Sequence, residues 1–149
     1  MSPARMALFL RDGRGDTPVI LCEPPLQEWT LLQQRRLNTL IGGRRHTLER
    51  AVSAILPSLR RPVHRPRREP WLQHRPDGGT LILDAVESLN RQTQQDLHRW
   101  LDGALSAGTQ VISLTTTRLF DQVQAGAFES ALYYRLNTVH IQVSHRRNG

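Results

Sequence analysis

The most restrictive feature of this sequence is the segment G-T-L-I-L-D at residues 79–84. Its apolar residues follow one another without alternating with polar ones, and the run ends in the acid Asp84. A strand with this pattern is covered on both faces, which is typical of a parallel sheet with helices on each side. The segment therefore predicts a buried parallel strand within an α/β fold.

Three further segments have the composition of strands, at residues 18–22, 110–115 and 138–143. Together with 80–84 they are expected to be adjacent, parallel strands of one sheet, because right-handed crossovers bury such strands on both faces. Residues at helical spacing, all apolar except Arg36, predict the helices between them. These residues are Trp29, Leu32, Arg36 and Leu40, then Leu48, Val52, Ile55 and Leu56, then Leu97, Trp100, Leu101, Ala104 and Leu105, and last Phe120, Val123, Phe128, Leu132 and Leu136.

Residues 57–77 differ from the rest of the chain, because five prolines stand there among arginines. Proline removes a backbone donor and excludes a helix, so we expect an irregular segment with at most a short edge strand at 62–64. Its arginines form either a mobile arm that contacts RNA, DNA or an acidic protein surface, or a solvated connector. The arginines of this possible arm are Arg60, Arg61, Arg65, Arg67 and Arg68.

Length and composition favour a single cytoplasmic domain over residues 1–149. The net charge of +7 comes from arginine alone, since the sequence contains no lysine. The lone cysteine, Cys22, cannot form an internal disulfide and fits a reducing compartment. No apolar stretch approaches the length needed to cross a bilayer. The histidines lack the spacing of a zinc site, so no metal is expected.

Two strings in the second half of the chain resemble the AAA+ core of bacterial sigma-54 activators. D-G-G-T-L-I-L-D at 77–84 is similar to the family's Walker B string D-G-G-T-L-F-L-D-E, and F-E-S-A-L-Y-Y-R-L-N at 128–137 is similar to F-R-x-D-L-Y-Y-R-L-N. The segment 110–116 lies where the family has its sensor strand, and 18–21 takes the place of the strand before the P-loop. The resemblance implies a P-loop NTPase-like parallel sheet with helices on both faces, here without the family's helical lid. In the family this core is a hexameric ATPase that remodels the sigma-54 polymerase complex.

The residues that bind and hydrolyse ATP in this family are replaced here. At the expected P-loop position, 22–28, the sequence is C-E-P-P-L-Q-E, without the glycines and the lysine that hold phosphates. Asp84 of the Walker B string is retained, but Ala85 stands where the family has the glutamate that activates water. Thr116 replaces the sensor asparagine. In the second string Glu129 replaces the first arginine, and Arg135 retains the second.

These replacements predict a degenerate module with no catalytic residue and no bound cofactor, ATP and Mg²⁺ being ligands of the resembling family. Asp84 could hold Mg²⁺ through water, but without a phosphate site we expect it to cap nearby backbone or to pair with an arginine. For Arg135 we likewise expect a structural ion pair.

We hypothesise a non-catalytic interaction module in bacterial transcription control, whose partner is a protein such as an intact AAA+ activator or the sigma-54 machinery. The alternative is an arginine-rich nucleic-acid-binding protein on the same scaffold. No membrane partner is expected.

Overall fold

The computed structural model describes residues 8–10, 19–22, 37–67, 78–102 and 108–143, with side chains from residue 37 onwards. This part of the chain forms seven strands and four α-helices. The strands are β1 (Leu8–Leu10), β2 (Val19–Cys22), β3 (Thr39–Gly42), β4 (Val63–His64), β5 (Gly79–Leu83), β6 (Thr109–Thr115) and β7 (Val139–Val143). The helices are α1 (Arg45–Ile55), α2 (Arg91–Asp102), α3 (Leu119–Gln124) and α4 (Ser130–Leu136).

The strands form one sheet in the order β1-β2-β7-β3-β6-β5-β4. The β1 strand is antiparallel to β2, and every other neighbouring pair is parallel. The prediction that four segments form parallel strands of one sheet is therefore confirmed, for β2, β5, β6 and β7. Their predicted adjacency is wrong, because β3 lies between β7 and β6 and pairs with both.

The strand β3 lies where the sequence pattern predicts a helix through Leu40. Its four residues are all buried, and Thr39 pairs with both Ile112 and Val139. Four residues are too few for periodicity to separate a buried strand from a piece of buried helix. The helical stripe assigned to Leu40 is therefore wrong at this position, and the rest of that stripe, from Trp29 to Arg36, lies outside the described residues.

Helices cover both faces of the sheet, as predicted. On one face, α1 packs against β3, β5, β6 and β7; on the other, α2, α3 and α4 pack against β3, β5 and β6. Leu81 and Ile82 belong to opposite faces, which explains why the apolar run in β5 is continuous. The predicted helical stripes are confirmed at α1, α2, α3 and α4, except at two residues: Leu56 lies in an exposed turn after α1, and Phe128 lies in the connection between α3 and α4. Ala104 and Leu105 lie outside the described residues.

The two glycines of the Walker B string have a steric role at the start of β5. Gly78 and Gly79 have φ angles of 93° and 75°, in a region that glycine adopts much more readily than residues with a Cβ. A Cβ at Gly79 would collide with the carbonyl oxygen of Pro62. That oxygen accepts a hydrogen bond from the N–H of Thr80 at 3.0 Å. Beside it, β4 forms the short edge strand that the sequence predicts.

Candidate functional site

The carboxyl ends of β3, β5 and β6 meet at one edge of the sheet, which is where parallel α/β sheets bind their ligands. A pocket of about 580 Å³ lies at this edge. Its lining comes from the start of α1, from the segment after β4, and from the loops after β5 and β6. The charged and polar residues that matter below are Arg45, Glu49, Arg65, Arg67, Asp84 and Thr116.

Asp84 follows β5 and is bound by the guanidinium of Arg65. The Arg65 Nε donates a hydrogen bond to Oδ2 of Asp84 at 2.9 Å, and Nη2 donates to Oδ1 at 2.7 Å. The same Nη2 also donates to Oε2 of Glu49, on α1, at 2.8 Å. The side chain of Arg65 is only 18% exposed, against 36% for Asp84. The expectation that Asp84 pairs with an arginine is confirmed, and both of its carboxylate oxygens are occupied.

The two carboxylates favour the charged form of this arginine, which is protonated at ordinary pH in any case. The hydrogen bond from Arg65 to Asp84 raises the pKa of the guanidinium, burial opposes this in part, and the bond to Glu49 raises the pKa further. The pKa of Arg65 therefore lies above an already high ordinary value. As a result, a permanent positive charge stands between Asp84 and Glu49.

Ala85 and Thr116 also line this pocket, but each has a local structural role. Ala85 adopts φ 50° and ψ 52°, a left-handed conformation that is uncommon for a residue with a Cβ. Its carbonyl accepts hydrogen bonds from the N–H and the hydroxyl of Ser88, at 2.9 and 2.7 Å. Thr116 Oγ1 donates to Oε2 of Glu87 at 3.2 Å. The site therefore brings Asp84, Ala85 and Thr116 together, as their motifs predict.

Two residues, Gly43 and Arg44, connect β3 to α1. The N–H of Gly43 donates to the carbonyl of Thr115 at 3.1 Å, and a Cβ on Gly43 would lie 2.7 Å from Cγ2 of Val143. A P-loop needs a longer glycine-rich turn and a lysine between strand and helix. This connection has neither.

The sheet order corrects the place assigned to the P-loop. Three strands separate β2 from β5, which amounts to about 19 Å at the usual strand spacing. A loop after β2 is thus too far from Asp84 to hold a phosphate whose metal ion Asp84 would bind. The strand in the P-loop position is β3, and the assignment to 18–21 is wrong. Residues 23–28 lie outside the described part of the chain.

Arg135 lies at the opposite edge of the sheet. Its Nη1 donates to Oδ1 of Asp102 at 2.6 Å, and its Nη2 donates to the carbonyl of Leu101 at 2.6 Å. The carbonyl of Arg135 accepts a hydrogen bond from Nδ2 of Asn38, which stands just before β3, at 3.1 Å. Because the pocket follows β3 and Asn38 precedes it, Arg135 is not part of the site. The structural ion pair expected for it is confirmed.

The arginines predicted to form one basic arm are divided by β4. Arg60 and Arg61 precede this strand, and the carbonyl of Arg60 accepts from Thr80 Oγ1 at 2.9 Å, near the amino end of β5. Arg65 and Arg67 follow β4 and line the pocket. A mobile arm is therefore wrong for residues 57–67, because β4 pairs with the sheet and two acids hold Arg65. Arg68 lies outside the described residues.

No sequence signal identifies the partners of Arg65. Glu49 and Asp84 lie 16 and 19 residues away along the chain, on different elements.

Within the described ranges, no three His, Cys, Asp or Glu side chains are grouped as a metal site. In the same ranges, no helix has the length and apolar character to cross a membrane.

The sequence profile of the sigma-54 interaction domain matches residues 56–145, which is more than half of the chain. The chain belongs to the sigma-54 interaction domain family. The matched region includes both characteristic strings, the sensor strand β6 and the whole of α2, α3 and α4.

Curated relatives and solved structures agree with this assignment. The chain is 34% identical over 77 residues to the anaerobic nitric oxide reductase transcription regulator NorR of Vibrio vulnificus, which covers 45% of this chain and 15% of that protein. It is 35% identical over 77 residues to the transcriptional regulatory protein ZraR of Escherichia coli, covering 45% and 18%. The fold is similar to that of NtrX from Brucella abortus, solved in complex with ATP, with a TM-score of 0.60 and 19% identity over 82% of this chain and 36% of that one. The chain thus matches less than a quarter of the length of these two curated relatives.

Proposed function

We propose that this sigma-54 interaction domain does not hydrolyse ATP and acts in transcription control by binding another protein, with an intact ATPase of the same family as the partner. The observation that carries the proposal is the bidentate pair of Arg65 with Asp84. An active site of this type uses the Walker B aspartate to hold Mg²⁺. Here an arginine from the same chain takes up both oxygens of that aspartate.

Two further features of the pocket support the absence of hydrolysis. The connection from β3 to α1 has two residues, so it lacks the longer glycine-rich turn and the lysine with which a P-loop holds phosphates. Ala85 has no group that accepts a proton from water. The described residues therefore do not fit ATP with Mg²⁺, although they keep the shape of the sheet edge at which the family binds its ligand.

The ion pair also weakens the nucleic-acid alternative. Arg65 of the Pro/Arg segment forms ion pairs with Glu49 and Asp84, so its charge is used within the protein. A folded surface around a pocket that contains its own ion pair is better suited to docking against another folded domain. In the family such domains assemble through the surface beside the nucleotide, and that surface does not depend on hydrolysis.

Calorimetry with ATP and Mg²⁺ tests the first half of the proposal. We expect no binding in the micromolar range, hydrolysis at background, and no gain of either with Ala85→Glu. A micromolar dissociation constant for ATP would contradict it.

Sedimentation of the protein with an intact sigma-54 activator ATPase from the same host tests the second half. We expect a complex that persists at about physiological ionic strength and changes the hydrolysis rate of the ATPase. Two independent sedimenting species with an unchanged rate would refute the docking role.

A further inference from the structure

We propose that Arg45 and Arg67, at the mouth of the pocket, bind an acidic segment of the protein partner. This inference rests on the proposed function, because it names the chemistry of the partner that docks at this edge of the sheet. Arg45 begins α1 and Arg67 follows β4, so the two side chains approach the pocket from different elements.

Arg45 and Arg67 are the pocket arginines that have no ion pair among the described residues. Both are exposed, and neither makes a hydrogen bond or ion pair within the described part of the chain. The side chain of Arg65, by contrast, is largely buried and donates three hydrogen bonds to two acids. A free guanidinium offers a planar pair of donors that matches a carboxylate.

The start of α1 concentrates positive charge where the helix itself disfavours it. Arg44 is the N-cap residue and makes no side-chain capping bond, Arg45 is the first helical residue, and the first turn contains no acid. The amino end of a helix carries a partial positive charge and favours anionic neighbours. The described residues place no acid against Arg44 or Arg45, and a local preference broken in this way is expected at a functional surface. An acidic segment lying against Arg45 would supply the missing negative charge.

The chemistry of the pocket favours a peptide over a nucleic acid. Its lining includes aliphatic side chains such as Leu48, Leu83 and Leu114, and none of its described lining residues is aromatic. Single-stranded nucleic acids are bound largely by stacking of bases on aromatic rings. Glu87 also lines the pocket and would repel a continuous run of phosphates. A peptide can instead place separate carboxylates at the two arginines and an aliphatic side chain between them.

Binding of a fluorescent peptide whose glutamates are separated by aliphatic residues to the full chain, measured by anisotropy at about 0.15 M salt, tests this inference. The same peptide with glutamine in place of glutamate is the control ligand. We expect Arg45→Gln with Arg67→Gln to weaken binding at least about tenfold, since each arginine supplies charge-assisted hydrogen bonds. The control variant carries Arg61→Gln and Arg99→Gln, which remove the same charge from exposed positions outside the pocket. It should bind within about twofold of the wild type.

Three results of the peptide assay would overturn the inference. These are no binding of the peptide, an equal loss in both double variants, and tighter binding of a single-stranded oligonucleotide that depends on Arg45 and Arg67. The same variants in the sedimentation experiment separate this inference from the proposed function. A complex with the intact ATPase that ignores the loss of Arg45 and Arg67 leaves the docking role standing and refutes the acidic contact. Peptide binding without any complex refutes the ATPase as partner and keeps the acidic contact.

Discussion

Replacing Arg65 with alanine should destabilise the fold by about 2 kcal/mol. The change removes three hydrogen bonds and leaves two acids without their cation. Breaking a buried ion pair costs about 3–5 kcal/mol, and exposed pairs contribute about 0–1 kcal/mol. Asp84 is 36% exposed and Glu49 is 55% exposed, so this pair falls between the two limits. For a chain of this length the loss corresponds to a fall in Tm of roughly 4–8 °C.

Urea unfolding followed by circular dichroism measures this loss, and Arg67→Ala is the matched control. Arg67 is two residues away, exposed and unpartnered among the described residues, so its removal should change stability by less than about 0.5 kcal/mol. A double-mutant cycle of Arg65→Ala with Asp84→Ala should give a coupling energy of about 1–2 kcal/mol. Equal unfolding midpoints for Arg65→Ala and Arg67→Ala, or a coupling energy near zero, would refute the reasoning.

The contribution of Arg65 to stability should not change with pH between about pH 7 and pH 10. The hydrogen bonds to Asp84 and then Glu49 raise the pKa of Arg65 in the folded state. A raised pKa of a cation contributes stability that is fully present below the unfolded pKa and is lost only as pH rises through the folded pKa. Because arginine stays protonated in both the folded and the unfolded state at ordinary pH, the difference between wild type and Arg65→Ala should stay constant from about pH 7 to pH 10. A steady decline over that range would show that another group carries the effect.

Other substitutions separate the packing role of the second string from its charges. Leu132→Ala and Leu136→Ala should each lower the free energy of unfolding in urea by roughly 2–5 kcal/mol, because both side chains are fully buried. Arg135→Ala should lower it by about 1 kcal/mol, since its partner acid is half exposed. Equal losses at all three positions would contradict the packing of α4. Gln94→Ala should lower the free energy of unfolding by roughly 2–4 kcal/mol, because this buried amide donates to two carbonyls and accepts from the N–H of the residue before α4. Gln95→Ala, at an exposed position, is the control and should be nearly neutral in the same measurement.

The fold could be predicted from the sequence wherever the apolar residues of a segment followed the pattern of a helix or of a buried strand. The strand β5 has a continuous apolar run, and α2 and α4 show apolar stripes that match their buried faces. The central strand β3 could not be found in this way, because it has four residues and passes directly into a glycine pair. Its position depends on pairing with β6 and β7, which are distant in the sequence.

The candidate site was only partly accessible to sequence reasoning. Asp84, Ala85 and Thr116 come together because the loops after neighbouring parallel strands open at the same edge of the sheet. Arg135 belongs to an equally specific string but lies at the other edge, where it fastens α4 to the end of α2. The decisive contact, Arg65 with Asp84, requires the sheet order that sets β4 beside β5.

On the proposed function, the changes at this edge act on three separate requirements of nucleotide chemistry. The short connection after β3 lacks the groups that hold phosphates, and Arg65 takes the place of the metal ion at Asp84. Ala85 has no group to activate the attacking water. Reverting one of them leaves the other two in place, and removing Arg65 alone exposes Asp84 and Glu49 to each other without a cation. The guanidinium thus gives the retained acid a stabilising role that depends on no ligand. The proposed contact with a partner then falls to the pocket arginines that have no ion pair among the described residues, Arg45 and Arg67.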